Sequence, residues 1–430
     1  MIINGLISGL LFLVSLWLIF SEKLNRTIAA FLGAALMLGL GKLLGFYSEV
    51  EALSSIDFNT LGLLLGMMIL VALLEPTGLF EYLAVWASRL SRGNPVRLLV
   101  LLGTITTVLS MFLDNVTTVV LVAPVTILMG EILGINPMPF LMAEALLSNT
   151  GGVATLVGDP PNVLIASAAG FSFVDFLTHS FPIVLVVWLA ALLLLRYLFR
   201  KELSVQPSNP EALQGLDLSE TLTDRVTAFR VLVVLACALL GFLLHGLLEM
   251  SPAFIALSAA AGALIWVQPN PSEVLKRVEW SVLAFFAALF VMVGGLEATG
   301  VLDALARLAK AAVSATPVLS GVALIWLVAG ISAMVDNVPV TIALIPVIEG
   351  LASGGVNVNP FWWALVFGAG FGGNGTIVGS TANIVVAGLS ERTRTPITSR
   401  QWNRRGLPVM LTTCAVASLL YVLFFPLFIR

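Results

Sequence analysis

Charge is what this chain has least of: 10% of its 430 residues are Asp, Glu, Lys or Arg and 59% are hydrophobic, whereas soluble domains carry about 25% charged residues. That scarcity excludes an ordinary water-facing surface. Cysteine and histidine are nearly missing too, with two of each. Cys237 and Cys414 stand alone in apolar segments, without metal or redox spacing, so both read as small packing residues and no metal site is expected. No Gly-x-x-x-x-Gly-Lys-Ser/Thr loop occurs. The longest polar stretch, about 200–225, is too short for a nucleotide-binding domain. No cofactor is expected, and the energy for any transport comes from a proton or sodium gradient or from a separate subunit. The expected surroundings are a lipid bilayer and a small inorganic solute or ion, not nucleic acid, and the chain reads as a transporter and not as an enzyme.

What is present is apolar sequence in membrane-length runs. Residues 6–20, 27–44, 61–74, 181–198 and 407–428 are examples, and about 20 residues cross a hydrocarbon core of ~30 Å. The first run has no Lys or Arg ahead of it and no small-residue cleavage site, so a retained helix is expected and not a signal peptide.

The chain also repeats itself. A shift of 222 residues lays Asp57 on Glu279, Glu75 on Glu297, Thr77 on Thr299, Gly78 on Gly300, Ser110 on Ser332 and Pro124 on Pro346. It superimposes Asp114-Asn115-Val116 on Asp336-Asn337-Val338, and at a shift of 221 GGVATLVGDPPN (151–162) lies over GGNGTIVGSTAN (372–383). Internal symmetry of this kind marks many secondary transporters. Residues 1–205 are expected to form one repeat, 206–225 a cytoplasmic linker and 226–430 a second repeat.

Each half reads as three spanning helices, an amphipathic helix (about 78–90 and 300–313), a hairpin (97–134 and 317–353), a broken helix (139–170 and 361–390) and a final helix. The hairpins follow from Asp-Asn in the middle of apolar sequence, where one charge costs about 2.5–3.5 kcal/mol in a spanning helix. A chain that enters, turns at Asp-Asn and leaves on the same side avoids that cost, provided protein or water surrounds the turn. The breaks follow from Gly151, Gly152, Gly158, Pro160 and Pro161 in one copy and Gly372, Gly373, Gly375 and Gly379 in the other.

Five crossings per half place seventeen of the 21 Lys and Arg residues on one side, leaving Lys42, Arg307, Lys310 and Arg430 on the other. Cytoplasmic loops carry that excess. The expectation is therefore ten spanning segments in a plasma (inner) membrane, both termini periplasmic, with the halves inverted and the two hairpin tips meeting near the midplane.

Intramembrane ionisable residues are functional candidates by default. Asp114 and Asp336 lead, as proton acceptors, cation ligands or hydrogen-bond acceptors, with Asn115, Asn337 and Thr117 beside them; helix capping by the same Asp residues is the alternative role. The breaks add Thr155, Gly158 and Asn162, and Asn374, Thr376, Ser380, Thr381 and Asn383, where unwound backbone can face a solute. Asp159 breaks the symmetry, since Ser380 is its counterpart. It is a proton-coupling candidate together with Asp114, Asp336 and Glu144, the last opposite Leu365 or Val366. Glu75 and Glu297, ahead of the amphipathic helices, read as structural.

On these residues the chain resembles the arsenical pump and sodium/proton antiporter branch of the ion transporter superfamily, which includes bacterial arsenite efflux permeases and the P protein. The most specific strings are FLDNVTTVVLVAPVT (112–126) and GGVATLVGDPPNVLIAS (151–167). The resemblance implies an all-α polytopic fold of two inverted repeats working as an elevator, with hairpins and broken helices carrying solute past a scaffold. It implies binding positions at Asp114, Asn115, Asp336, Asn337 and the two breaks. It admits a homodimer through scaffold helices and a separate ATPase subunit. The expected activity is proton-coupled arsenite or antimonite efflux, with sodium/proton exchange as the rival and an anion or dicarboxylate carrier behind both. Related dicarboxylate carriers place Ser-Asn-Thr at their hairpin tips. Here that string, at 148–150, falls outside the tips.

Overall fold

The computed structural model describes residues 2–20, 24–208 and 221–429; Lys23, Arg430 and most of the expected linker lie outside the described residues. The first ten helices are α1 (Ile2–Phe20), α2 (Arg26–Leu44), α3 (Glu49–Ser54), α4 (Phe58–Leu74), α5 (Leu79–Ser91), α6 (Pro95–Ser110), α7 (Asn115–Leu133), α8 (Met138–Gly152), α9 (Pro160–Ala169) and α10 (Phe173–Leu198). The same order returns as α11 (Arg225–Leu248), α12 (Pro252–Val267), α13 (Pro271–Arg277), α14 (Trp280–Ala298), α15 (Val301–Ala315), α16 (Pro317–Ser332), α17 (Asn337–Ser353), α18 (Asn359–Gly372), α19 (Thr381–Ser390) and α20 (Ser399–Leu423). The protein is an all-α polytopic membrane protein.

The helix boundaries are written locally. Asn25, Asp57, Asn94 and Asp114 in one copy, and Ser251, Asn270 and Asp336 in the other, accept backbone N–H bonds as N-caps. Gly45, Gly134 and Gly170 end α2, α7 and α9 in the left-handed conformation. Seven helices among the described residues are long and apolar enough to cross a membrane, and one of them is α7, a hairpin arm. α1 and α12 belong to a shorter group, and α8–α9 is split, so the number of crossings does not follow from helix length alone.

Packing is reciprocal between the copies. α4 lies along α12 and α2 along α14, while α1 packs on α2 and α11 on α12. These six helices form one body, the scaffold. Close approach within it rests on small residues, as membrane interfaces require in the absence of a hydrophobic drive between helices. A Cβ on Gly66 of α4 would fall 2.5 Å from the backbone of Ala256 on α12. The repeat-related pair, Ala34 on α2 and Ala288 on α14, is buried as well.

The starts of the paired helices are tied together. The Thr27 hydroxyl donates to the Ser281 carbonyl at 3.1 Å, and Ala253 N–H donates to Asn59 Oδ1 at 3.3 Å. Because α2 and α4 follow one another through a short connection, they run in opposite directions, and these two tied pairs mark opposite ends of the scaffold.

The other helices form a bundle. In each copy the hairpin packs its first arm on the helix before the break, α6 on α8 and α16 on α18, while the second arm reaches the other copy, α7 to α19 and α17 to α9. Glycine is required at the tightest of these contacts. A Cβ on Gly151 would sit 2.8 Å from the Thr107 carbonyl, and on Gly372, its repeat counterpart, 2.7 Å from that of Ala329. Outward-facing Leu6, Leu43, Phe229, Leu247 and Ile265 are exposed, as suits a lipid-facing belt.

Candidate transport site

The two hairpin turns end on the two Asp residues. Asp114 caps α7, its Oδ1 accepting from Thr117 N–H at 2.8 Å and its Oδ2 from the Thr117 hydroxyl at 2.5 Å. Asp336 caps α17 through Val338 N–H at 3.2 Å. Its other oxygen accepts from the Thr381 hydroxyl at 2.8 Å and from Arg26 Nη1 at 3.0 Å. The same guanidinium nitrogen donates to Thr381 Oγ1 at 2.7 Å, and the guanidinium carbon lies 5.7 Å from the centroid of the Phe285 ring. Capping is thus a true role of both residues, and it leaves them free to do more.

Both line one cavity of about 70 Å³ between the bundle and the scaffold. Its polar wall is Arg26, Asp114, Asn115, Asp159, Glu279, Asp336, Asn337, Ser380 and Thr381; α4 and α14 close it with Leu63, Leu64, Met67, Met68, Phe285 and Phe286. Carboxylates outnumber the lone guanidinium four to one. Such a wall repels anions and recruits protons or cations.

Behind the cavity an amide network joins the copies. Asn149 Oδ1 accepts from Asn115 Nδ2 and from the Ser380 hydroxyl, each at 3.0 Å. Asn149 Nδ2 donates to Asn374 Oδ1 at 3.0 Å and to Asn383 Oδ1 at 2.9 Å. Asn337 Nδ2 of the second tip donates to Asp159 Oδ2 of the first break at 3.0 Å. Each tip therefore holds on to the other copy's break, the first through Asn149 and the second directly.

The expected residues separate into two groups. Asp114, Asn115, Asp159, Asp336, Asn337, Ser380 and Thr381 meet at the cavity. Asp159 makes no capping bond to its own helix, and its hydrogen-bond partner is Asn337 of the second Asp-Asn motif.

The remaining break residues bond within the breaks, to the hairpins or to the other copy, and do not line the cavity. Asn162 Nδ2 donates to the carbonyls of Gly152 and Thr155 at 2.9 and 2.7 Å, and Asn383 Nδ2 to those of Gly373 and Thr376 at 2.7 and 2.9 Å. The hydroxyls of Thr155 and Thr376 donate to the hairpin carbonyls of Met111 and Ala333. Gly158 is in close contact with the backbone of Gly152 and Ser110, and Asn374 Nδ2 donates to the Thr150 hydroxyl at 3.2 Å. Thr117 is bound to Asp114 and faces a neighbouring cleft with Glu75, Arg277 and Glu279. There Arg277 pairs with Glu75 at 3.0 Å.

Glu144 is fully buried away from the cavity, between α7 and α8. One oxygen accepts from the Thr126 hydroxyl and the other has no partner. Its surroundings are one-sided in the repeat. Thr118, Thr126 and Glu144 of the first copy correspond to Val340, Ile348 and Leu365 of the second, all buried.

Three residues at the site escaped the sequence reading. Arg26 counted only as a marker of membrane side, and Glu279 only as the repeat partner of Asp57. Asn149 belongs to the Ser-Asn-Thr string set aside as lying outside the tips, yet it binds the first tip. The repeat partners differ in the structure: Asp57 accepts from the first turn of α4 at Asn59 and Thr60, whereas Glu279 makes no capping bond.

Two inward-turned Asp-Asn tips, two broken helices and a carboxylate-lined cavity against a helical scaffold define a membrane transporter of the ion transporter class. The chain belongs to the citrate transporter family, whose pattern it matches over residues 16–368. It is similar to a 46 kDa membrane protein of Mycobacterium leprae, 39% identical over 95% of this chain and 96% of that one. An uncharacterized transporter of Mycobacterium tuberculosis is 40% identical over 96% of this chain and 97% of its own length. The human P protein is 32% identical over 93% of this chain, which spans 57% of that longer protein. Among solved structures, the YdaH transporter of Alcanivorax borkumensis aligns with a TM-score of 0.61 at 19% identity, covering 87% of each chain, which shows a shared fold.

Proposed function

We propose that the chain is a proton-coupled secondary transporter whose cargo is a small cation, exchanged through the carboxylate cavity between bundle and scaffold. One observation carries this reading: Asp114, Asp159, Asp336 and Glu279 share a single small cavity with one guanidinium. Carboxylates gathered this closely are stable when protons or a bound cation divide their charge, and exchange of the two is the transport step. The family name points to citrate. A citrate trianion would face this wall without the cationic donors it needs, so citrate is not carried over to this chain.

Arsenite or antimonite efflux is the second reading. It is favoured by the hydroxyls of Ser380 and Thr381 and the amides of Asn115 and Asn337 on the same wall, which suit a neutral trihydroxy solute. The charge count places it second, because a neutral cargo leaves the carboxylates unbalanced.

In either case the energy source is an ion gradient, the membrane is the inner membrane with both termini periplasmic, and the bundle moves as an elevator past the six-helix scaffold. Everted vesicles separate the readings. Sodium addition that collapses an imposed proton gradient without arsenite supports cation exchange; arsenite uptake driven by that gradient, with no sodium response, replaces it by the second reading.

A further inference from the structure

Arg26 stands on the scaffold at the first residue of α2, whereas both groups it binds, Asp336 and Thr381, belong to the bundle. The contact therefore crosses the boundary along which an elevator must slide. It exists only at one end of the scaffold, the end where Thr27 is tied to Ser281 and where Glu279 and Phe285 complete the cavity.

The repeat gives the chemistry of the opposite end. If the bundle docks at that end as the pseudo-two-fold relation of inverted repeats dictates, Asp114 comes to the position now taken by Asp336. The residue facing it would be the counterpart of Arg26, which is Leu248 at the constant shift of 222. Residues 246–253, Gly-Leu-Leu-Glu-Met-Ser-Pro-Ala, contain no Lys or Arg. The counterpart of Glu279 is Asp57. At the Arg26 position one end of the scaffold thus offers the carboxylates a guanidinium, and residues 246–253 at the other end offer them no Lys or Arg.

We propose that Arg26 is the coupling residue of the site: an internal cation that latches the vacant bundle to one end of the scaffold through Asp336, and that a bound cation or proton must displace before the bundle can cross. The inference rests on the carboxylate-cavity reading and deepens it by naming what enforces the exchange. A vacant, fully ionised bundle loses its counter-charge on leaving Arg26 and meets Asp57 on arrival, so empty crossings are suppressed. A loaded bundle carries its own positive charge and moves. Bound cation and guanidinium compete for the same carboxylate, so the apparent affinity for the cation is lowered by the fraction of time the latch is closed. The groups facing Arg26 from the packed elements are Asp336 and Thr381 of the bundle and the Phe285 ring and Glu279 of α14.

The test has a structural arm and a transport arm. Met334 is exposed on the second hairpin turn and lines the cleft that Arg26 opens onto. In a Cys237→Ser background, which removes the exposed thiol and leaves the buried Cys414, a Met334→Cys thiol is labelled with a membrane-impermeant maleimide in vesicles of both orientations. Labelling from one face is expected. Arg26→Gln should slow it about tenfold, as the bundle leaves that end, while Arg26→Lys, which keeps the charge, should retain most of the native rate. In the transport arm, collapse of a proton gradient is titrated with sodium chloride, and Arg26→Gln is expected to lower the half-saturating sodium concentration about tenfold. Equal labelling rates in all three proteins overturn the latch whether or not sodium is transported. Absence of any sodium response in the native protein, with the labelling change intact, overturns the cation cargo and leaves the latch standing.

Discussion

At the scale of single residues the site turns on polar groups with no slack. Asn149 spends both amide protons and both acceptor positions on four partners from three other segments. Leucine in its place strands those buried partners, at about 1–3 kcal/mol for each group left unpaired. Asn149→Leu is therefore expected to lower the melting temperature in detergent markedly, and an unchanged melt would show the network to be dispensable. Asp336→Asn keeps the cap and the shape but removes the charge that Arg26 and a cation compete for; transport should fall at least a hundredfold at normal expression. Glu144→Gln probes the one-sided polar line between α7 and α8. If Glu144 relays protons, proton flux drops about tenfold with the melt unchanged, whereas native flux would leave the residue a packing feature. The sequence alone raised Asp114, Asp159, Asp336 and Glu144, because carboxylates in apolar runs stand out. It could not raise Arg26 or Glu279, which begin helices at the charged boundary and look there like ordinary flanking charges. Asn149 had no repeat signal, since its counterpart is Gly370.

At the scale of elements, the hairpins and breaks were legible because each is a local conflict: Asp-Asn inside apolar sequence, glycines and prolines inside a spanning run. Their mutual fit was not, because it is set by backbone contacts between segments about forty residues apart. Gly151 against Thr107 and Gly372 against Ala329 are the two halves of that fit. A valine at either position drives a side chain into a carbonyl, and overpacking of this kind costs about 1–3 kcal/mol. Gly151→Val and Gly372→Val should each loosen a break from its hairpin, lower the melting temperature by several degrees and reduce transport. A variant with native stability and transport would mean that the two elements separate during the cycle.

At the scale of the whole molecule the repeat was legible as matched strings, and the charge count predicts halves of opposite orientation. Thiols placed at Arg89, in the last turn of the first amphipathic helix, and at Ser353, at the end of α17, should react with impermeant maleimide from opposite faces in the Cys237→Ser background; reaction from the same face would refute the inverted arrangement. The interleaving of the copies was hidden, because packing partners leave no mark on spacing. The most direct instance is the contact of Gly66 on α4 with Ala256 on α12, 190 residues later. At a synthesis rate of about 5–20 residues per second, α4 waits roughly 10–40 s for the helix it is shaped to hold. During that interval its small-residue groove is open to lipid or to another nascent chain. The two halves are repeats of sequence without being units of assembly, and the first 205 residues expressed alone should be degraded, or recovered only when the second half is supplied in trans.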